Sequence, residues 1–541
     1  MIGASSGNAA VTSKTSMSSF HNLGQLIRRD HDLAKVAIID LGGEGESREV
    51  SYAELDAMAN GVARAIQGRG FQRGDRIAIL SANRAEYLAT YFGIMRAGQV
   101  AVPVNYRFPP KMINFVVHDA GARLVFCDRE RRADCPADVP TVSFDDDGAG
   151  GFNQFLDPSR FTETIPADNE PAMFLYTSGS SGVPKGAVLS HQSHIWVVET
   201  RLAGRDFSRQ RFLIAAPLYH MNALALSMLA IAGHSTIVLL PSFTARRYIE
   251  AIGRYRCTWL TAVPPMIAMM LREVELLAAT DLSSVEFVRM GSAPVSQSLM
   301  SSLKCALTQA VVTNAYGTTE AGPVVFGSHP DGLSTPDMSV GFPHPRVQLR
   351  LVAGEDKNAT QGVLEIKCPA IMLGYHNRPD VPTPITPDGF YVTGDVFCQD
   401  EKGFHYFVSR ADDMFNSSGE NIYPGEIERM LERHVYVGQA VVVPIDDEIK
   451  GQKPVAFIIP KAGCHPSEDE IKQFALANAP AYQHPRFVWF VDQLPLAATN
   501  KIDRAALRKT AEEWVRAFER VKTSKPHNNQ GSLRAFPNCG S

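Results

Sequence analysis

From about residue 74 the apolar positions follow two alternating rhythms. RIAIL (76–80) is a short β-rich run, and NRAEYLATYFGIMRAG then spaces its apolar residues helically and ends on Gly98. VAVPVN and RLVFC (123–127) return to strand texture. Short apolar runs separated by helical stretches predict βαβ units and a largely parallel sheet. The alternation resumes with AMFLY (172–176), RFLIAAP (211–217), STIVLLP (235–241), CTWLTAV (257–263), VEFVRMG (285–291) and AVVTNAYG (310–317). After about 340 the texture changes to short strands between Gly and Asp turns: VQLRLV, GVLEIK, GFYVTGD and GFHYFV. Beyond Ser409–Asp413 a new unit is expected, with helices EIERMLERH and EDEIKQFALANA and strands GQAVVVPI, KPVAFIIP and RFVWFV.

The predicted fold class is α/β. A large N-terminal domain (21–410) combines parallel and mixed sheets, helices and a β-rich subdomain, and a small α+β domain follows (411–523). Residues 1–20 are Ser-rich without an apolar h-region and are expected to be a disordered leader, not a secretory signal. Residues 524–541 are polar, punctuated by Pro and Gly, and are expected to be a disordered tail. The most apolar region, 212–241, is broken by Pro217, His220, Asn222, Gly233 and His234. Its cleanest run, Ala223 to Ala232, is half of the roughly 20 residues that cross a bilayer. It predicts a buried helix between two strands, with no integral membrane segment.

Composition narrows the classes further. The 541 residues are 45% apolar and 20% charged, with net charge −4, so no basic surplus points to nucleic acid. Eight cysteines are scattered without a CxxC pair. That excludes a disulfide scaffold and a zinc finger and suits a reducing, cytoplasmic setting.

The densest chemical signal is Thr177-Ser178-Gly179-Ser180-Ser181-Gly182-Val183-Pro184-Lys185-Gly186, between AMFLY and AVLS. Glycines let the backbone aim its N–H groups at one point, the hydroxyls add donors, and Lys185 adds a charge. This is chemistry for holding a polyphosphate. It is not a Walker A loop: two residues separate Gly182 from Lys185, and no Ser or Thr follows the lysine.

This run resembles the phosphate-binding loop of the adenylate-forming superfamily, which includes acyl-CoA synthetases and aryl-CoA ligases. Further family motifs follow in order: Ala315-Tyr316-Gly317-Thr318-Thr319-Glu320-Ala321-Gly322, Tyr391 to Asp395, Ser409 to Asp413, Gly419 to Glu428, and Leu494-Pro495 through Asn500-Lys501-Ile502-Asp503-Arg504. The resemblance spans about 20–520 and implies an AMP-forming acid–CoA ligase. Such an enzyme joins a hydrophobic fatty, aryl or alicyclic acid to AMP, expels pyrophosphate, and passes the acyl group to coenzyme A. The alternative is a stand-alone adenylating enzyme that loads an acyl carrier protein. ATP, Mg²⁺ and CoA are the implied cofactors, and a homodimer is common in such families.

The resemblance also assigns roles. Lys185 and the hydroxyl loop face the β- and γ-phosphates, Thr319 the α-phosphate, and Tyr316 the adenine. Glu320 helps hold Mg²⁺, Asp395 accepts from the ribose hydroxyls, and Arg410 reaches the ribose. Ser292, Ala293 and Pro294, with Ala315, Gly317 and Thr318, border the nucleotide. Lys501 is the catalytic lysine of adenylation. Asp412 is the hinge of a mobile C-terminal domain whose rotation replaces Lys501 with the loop at Gly419, which faces the pantetheine arm. Asn500 stands where the family usually has glycine, and Asn416 where many relatives have lysine. Tyr219, His220 and Asn222 line the carboxylate end of the acyl pocket. Val263, Met266, Met290, Gly291, Gly317 and Val324 supply its walls. Without the resemblance, YGTTEAG also reads as a helix N-cap.

Overall fold

The computed structural model describes residues 20–42, 47–148, 150–178, 183–417, 420–447, 451–497 and 502–523. These form two compact units. The first runs to Val295 and also contains 300–393 and 398–406; the second contains 296–299, 394–397 and the chain from Phe407.

The first unit carries two seven-stranded sheets. Its strands in chain order are β1 (Val36–Asp40), β2 (Arg48–Ser51), β3 (Arg76–Leu80), β4 (Val100–Pro103), β5 (Ala122–Cys127), β6 (Thr141–Ser143), β7 (Pro171–Ser178), β8 (Pro184–Ser190), β9 (Arg211–Ile214), β10 (Thr236–Leu239), β11 (Trp259–Ala262), β12 (Phe287–Gly291) and β13 (Val311–Ala315). One sheet has the order β13-β12-β11-β9-β10-β1-β2 and is parallel apart from the β1–β2 pair. The other runs β8-β7-β4-β3-β5-β6, with the two-residue strand Gly374–Tyr375 added beside β8. Its β7–β8 and β8–Tyr375 pairings are antiparallel and the rest parallel. The expected βαβ alternation is present.

Strands buried on both faces become continuous apolar runs, which is why the sequence shows them so clearly. The helix Met221–Ala232 lies between β9 and β10 with all but one of its twelve residues buried. It is the core helix expected there, and among the described residues no helix is long and apolar enough to cross a membrane. Between 340 and 410 the expected short strands appear at Gln348–Val352, Gln361–Lys367, Tyr391–Gln399 and His405–Arg410.

In the second unit, Val437–Asp447 pairs antiparallel with Gly451–Pro460, and Phe487–Phe490 joins the latter in parallel. Helices Pro424–Glu432 and Glu468–Asn478 fall where the apolar spacing places them. A third helix, Arg504–Thr523, follows; its Leu507, Ala511 and Val515 pack against Val441, Val443 and Phe457.

Candidate active site

In open parallel sheets, ligands gather beyond the carboxyl ends of the strands. The stretch Leu218–His220 follows β9, Val263 follows β11, Ser292 follows β12 and Tyr316 follows β13. Four of the expected site segments therefore leave the same end of one sheet.

The expected phosphate loop joins β7 and β8. Thr177 stands opposite Lys185 in that antiparallel pair. Gly179, Ser180, Ser181 and Gly182 lie outside the described residues, as do Gly419 and Lys501. Lys185 places its Nζ 5.6 Å from the centre of the Tyr375 ring. The Tyr375 hydroxyl donates to Glu320 Oε1 at 3.0 Å. Met372 N–H donates to the Glu320 carbonyl at 2.7 Å. Tyr375 thus ties the loop lysine to the acidic residue, and the strand Gly374–Tyr375 is held by Val188 and Ala187 of β8. Sequence reading missed Tyr375. A two-residue strand has no periodicity of its own, and its partner lies far back in the chain.

YGTTEAG is a tight turn, which excludes the helix-cap alternative: Thr318 and Gly322 form an isolated bridge and no helix follows. The Thr318 hydroxyl accepts from Ala321 N–H at 2.9 Å, and Gly322 takes the left-handed φ of 74° that the turn needs. A Cβ on Gly317 would lie 2.7 Å from Pro323 Cα, so only glycine lets the two backbone segments approach. Among the described residues the Thr319 hydroxyl has no protein partner and stays open to a ligand oxygen. Tyr316 sits 6.0 Å from Phe326, ring to ring, at 65°. Ser292 adopts φ 66°, a left-handed conformation uncommon for serine, immediately after Gly291 and before Ala293 and Pro294. Such strain persists where the surroundings over-determine it.

Around the expected acyl end, His220 precedes the helix Met221–Ala232 and packs against Tyr219 at 4.5 Å. Tyr219 meets Tyr106 edge-on at 5.2 Å, and Arg131 covers Tyr106 at 4.3 Å. Asn222 Oδ1 accepts from the Thr261 hydroxyl at 3.3 Å. Val263 and Met266 open the helix Pro264–Arg272, and both are buried, as are Met290 and Val324.

In the second unit, Arg410 Nη1 donates to Asp395 Oδ1 at 2.9 Å and its Nε to Asp412 Oδ1 at 3.0 Å. Burial disfavours the Arg410 charge, but Asp395 and Asp412 more than offset this and hold it above its ordinary value. Asp395 is buried, and Ala411 N–H donates to the Gly394 carbonyl at 2.8 Å. The expected ribose carboxylate and the expected hinge residue are thus joined through one guanidinium. Nearby, Arg504 forms a two-pronged pair with Glu428 at 2.7 and 3.0 Å.

Among the described residues no three His, Cys, Asp or Glu side chains cluster to hold a metal. This donor set suits Mg²⁺, which keeps water and phosphate oxygens and needs only one or two protein carboxylates. Glu320, oriented by the Tyr375 hydroxyl, is the carboxylate that the resemblance expects for that role.

A family profile described as AMP-binding enzyme matches residues 28–376, and one for the AMP-binding enzyme C-terminal domain matches 426–501. A fatty acid–[acyl-carrier-protein] ligase, ScoC, of Streptomyces coeruleorubidus is 31% identical, covering 86% of this chain and 92% of that protein. A feruloyl-CoA synthase of an Amycolatopsis species is 31% identical over 85% of this chain and 94% of that protein. The solved structure of ATP-bound MatB from Rhodopseudomonas palustris superposes with a TM-score of 0.82 at 27% identity, covering 91% of this chain and 99% of that one.

Proposed function

Because this chain belongs to the AMP-binding enzyme family of adenylate-forming ligases, we propose that it activates a carboxylic acid with Mg-ATP and transfers the acyl group to coenzyme A. The acid's carboxylate oxygen bonds to the α-phosphorus of ATP and the bond to the β-phosphate oxygen breaks, releasing pyrophosphate. The CoA thiol then attacks the acyl carbon, and AMP leaves. The observation that carries the site assignment is the Lys185–Tyr375–Glu320 arrangement at the mouth of the β7–β8 pair. It sets one cation and one oriented carboxylate beside a loop of hydroxyls and glycines.

When bound, with Glu320 as its protein ligand, Mg²⁺ would neutralise part of the phosphate charge. The remaining work belongs to the protein. Lys185 and the Thr177–Gly182 loop hold the terminal phosphates. Thr319 offers its free hydroxyl to the α-phosphate, and Tyr316 a face for adenine. Asp395 accepts from the ribose hydroxyls, where a carboxylate suits two donors. His220, Tyr219 and Asn222 border the acid's carboxylate. Two anionic oxygens must meet, and Lys501 offsets their repulsion as charge moves. The relative that uses a carrier protein supports a second reading, in which the acceptor thiol is the phosphopantetheine of a separate carrier.

The test is to measure both half-reactions on purified protein. Lys501→Ala is expected to lose adenylation by about 10²–10³-fold yet convert supplied acyl-AMP and CoA to thioester at a near-normal rate. Equal loss in both halves of a folded variant would contradict the assignment. Running CoA against holo carrier protein as acceptor separates the two readings.

A further inference from the structure

Two arginines next to the expected acyl pocket have no counter-charge. Arg289 lies in β12 opposite Thr261 of β11, so both side chains share one sheet face. On that face the Thr261 hydroxyl bonds Asn222. Arg289 Nη2 donates to the main-chain oxygen of Pro323 at 3.1 Å, between Gly322 of the YGTTEAG turn and the wall residue Val324. Arg201 approaches from the helix His191–Leu202. Val197, one turn earlier on the same helical stripe, has its Cγ2 3.4 Å from the point where a Cβ on Gly322 would lie. Arg289 therefore reaches the backbone beside Val324, and Arg201 lies close enough for the two like charges to act on each other.

Their electrostatics are unusual for a protein interior. Burial lowers Arg201 well below its ordinary value, and the charges of Arg289 and Arg205 push it the same way. Burial holds Arg289 down to about 10. Among the described residues no carboxylate pairs with either one; Arg289 has a main-chain carbonyl and Arg201 has no hydrogen-bond partner. Guanidinium does not give up its proton in proteins. Two like cations left unpaired in a low-dielectric setting destabilise the fold, so they mark a place where an anion is expected to arrive. Arg201 is neither fully buried nor fully exposed, which leaves it reachable.

Building on the ligase reading, we propose that Arg201 and Arg289 form an anion-binding subsite at the far end of the acyl pocket, and that the acid activated carries a second carboxylate beyond its apolar body. A planar guanidinium matches a carboxylate with two parallel donors, and a pair of them gives the distal group a fixed address. A site built to hold a charged group discriminates strongly against the analogue lacking it, because its polar groups are then left unpaired.

The experiment compares matched acids by pyrophosphate release: hexanoate with adipate, and cinnamate with 4-carboxycinnamate, on wild type, Arg201→Met and Arg289→Met. In at least one pair, wild type is expected to prefer the diacid by about 10²-fold in kcat/KM, and each variant to collapse that ratio. Thermal melting without acid adds a readout: removing an unpaired buried cation is expected to leave the melting point unchanged or raised. Equal use of both members of every pair by wild type overturns the subsite. So does a variant that melts far below wild type or does not fold, which is the mark of an arginine serving the fold. If no acid releases pyrophosphate, the ligase reading fails instead. Melting with each acid then decides the subsite: a diacid-specific rise in wild type that both variants lose supports it, and no such rise overturns it.

Discussion

Replacing Tyr375 with phenylalanine removes one oxygen and leaves the ring. The ring keeps its 5.6 Å contact with the Lys185 ammonium, within the roughly 6 Å reach of a cation–π interaction. What disappears is the 3.0 Å hydrogen bond to Glu320 Oε1. A hydrogen bond to a charged acceptor contributes about 1.5–3 kcal/mol. Glu320 is partly exposed, so water replaces some of that, and about 1–1.5 kcal/mol is the fair expectation. At 1.4 kcal/mol per factor of ten, the carboxylate loses its fixed orientation by an amount worth roughly 5- to 12-fold in affinity for the cation proposed to bind it. The assay is the initial rate of pyrophosphate release against free Mg²⁺, with acid and ATP saturating. Tyr375→Phe should shift the half-saturating Mg²⁺ upward by about tenfold, with the maximal rate recovered at high Mg²⁺ and the melting point close to wild type. Superimposable Mg²⁺ curves from an equally stable variant would refute the role given to Tyr375.

Gly317→Ala would place a Cβ 2.7 Å from Pro323 Cα and 2.8 Å from the Gly322 carbonyl, so the YGTTEAG turn must move. Stability should fall by about 1–3 kcal/mol while pyrophosphate release falls by far more, and a melt run beside the assay separates the two. Glu432 in the second unit is pushed up to about 8 by burial, with Glu428 adding repulsion against the pull of Ala440 N–H and Arg429. A carboxyl raised in the fold from 4.5 destabilises it as pH climbs from about 4.5 to about 8 and no further. Glu432→Gln mimics the neutral acid. It should match wild type in chemical denaturation near pH 4.5 and exceed it by up to roughly 5 kcal/mol at pH 8; parallel pH profiles would refute the assignment.

The parallel strands were legible because burial on both faces leaves no polar interruption, as in RIAIL and TIVL. Arg289 stands in VEFVRMG beside the wall residue Met290 but was not singled out, because a strand reading of that run attends to its apolar positions. Arg201 was missed as well, since arginine near a helix C-terminus ordinarily reads as favourable end chemistry. The YGTTEAG turn was ambiguous because Thr and Glu serve a cap and a ligand site equally well. The bridge between Thr318 and Gly322, set by tertiary packing, decides between them. Tyr375 was hidden for the same reason: its place comes from β8, not from its neighbours in sequence.

The pairing of β1 with β10 also bears on how the chain is made. Ile38 lies beside Ile237 in the finished sheet, yet a ribosome adds only about 5–20 residues each second. The second of these strands therefore emerges roughly 10–40 s after the first. During that interval β1 has β2 on one side and a bare row of N–H and C=O groups on the other. Any fragment ending before β10 keeps that edge open permanently. Truncations of the first unit should therefore fail by sticking to one another, and chaperones present during synthesis should raise the yield of intact protein.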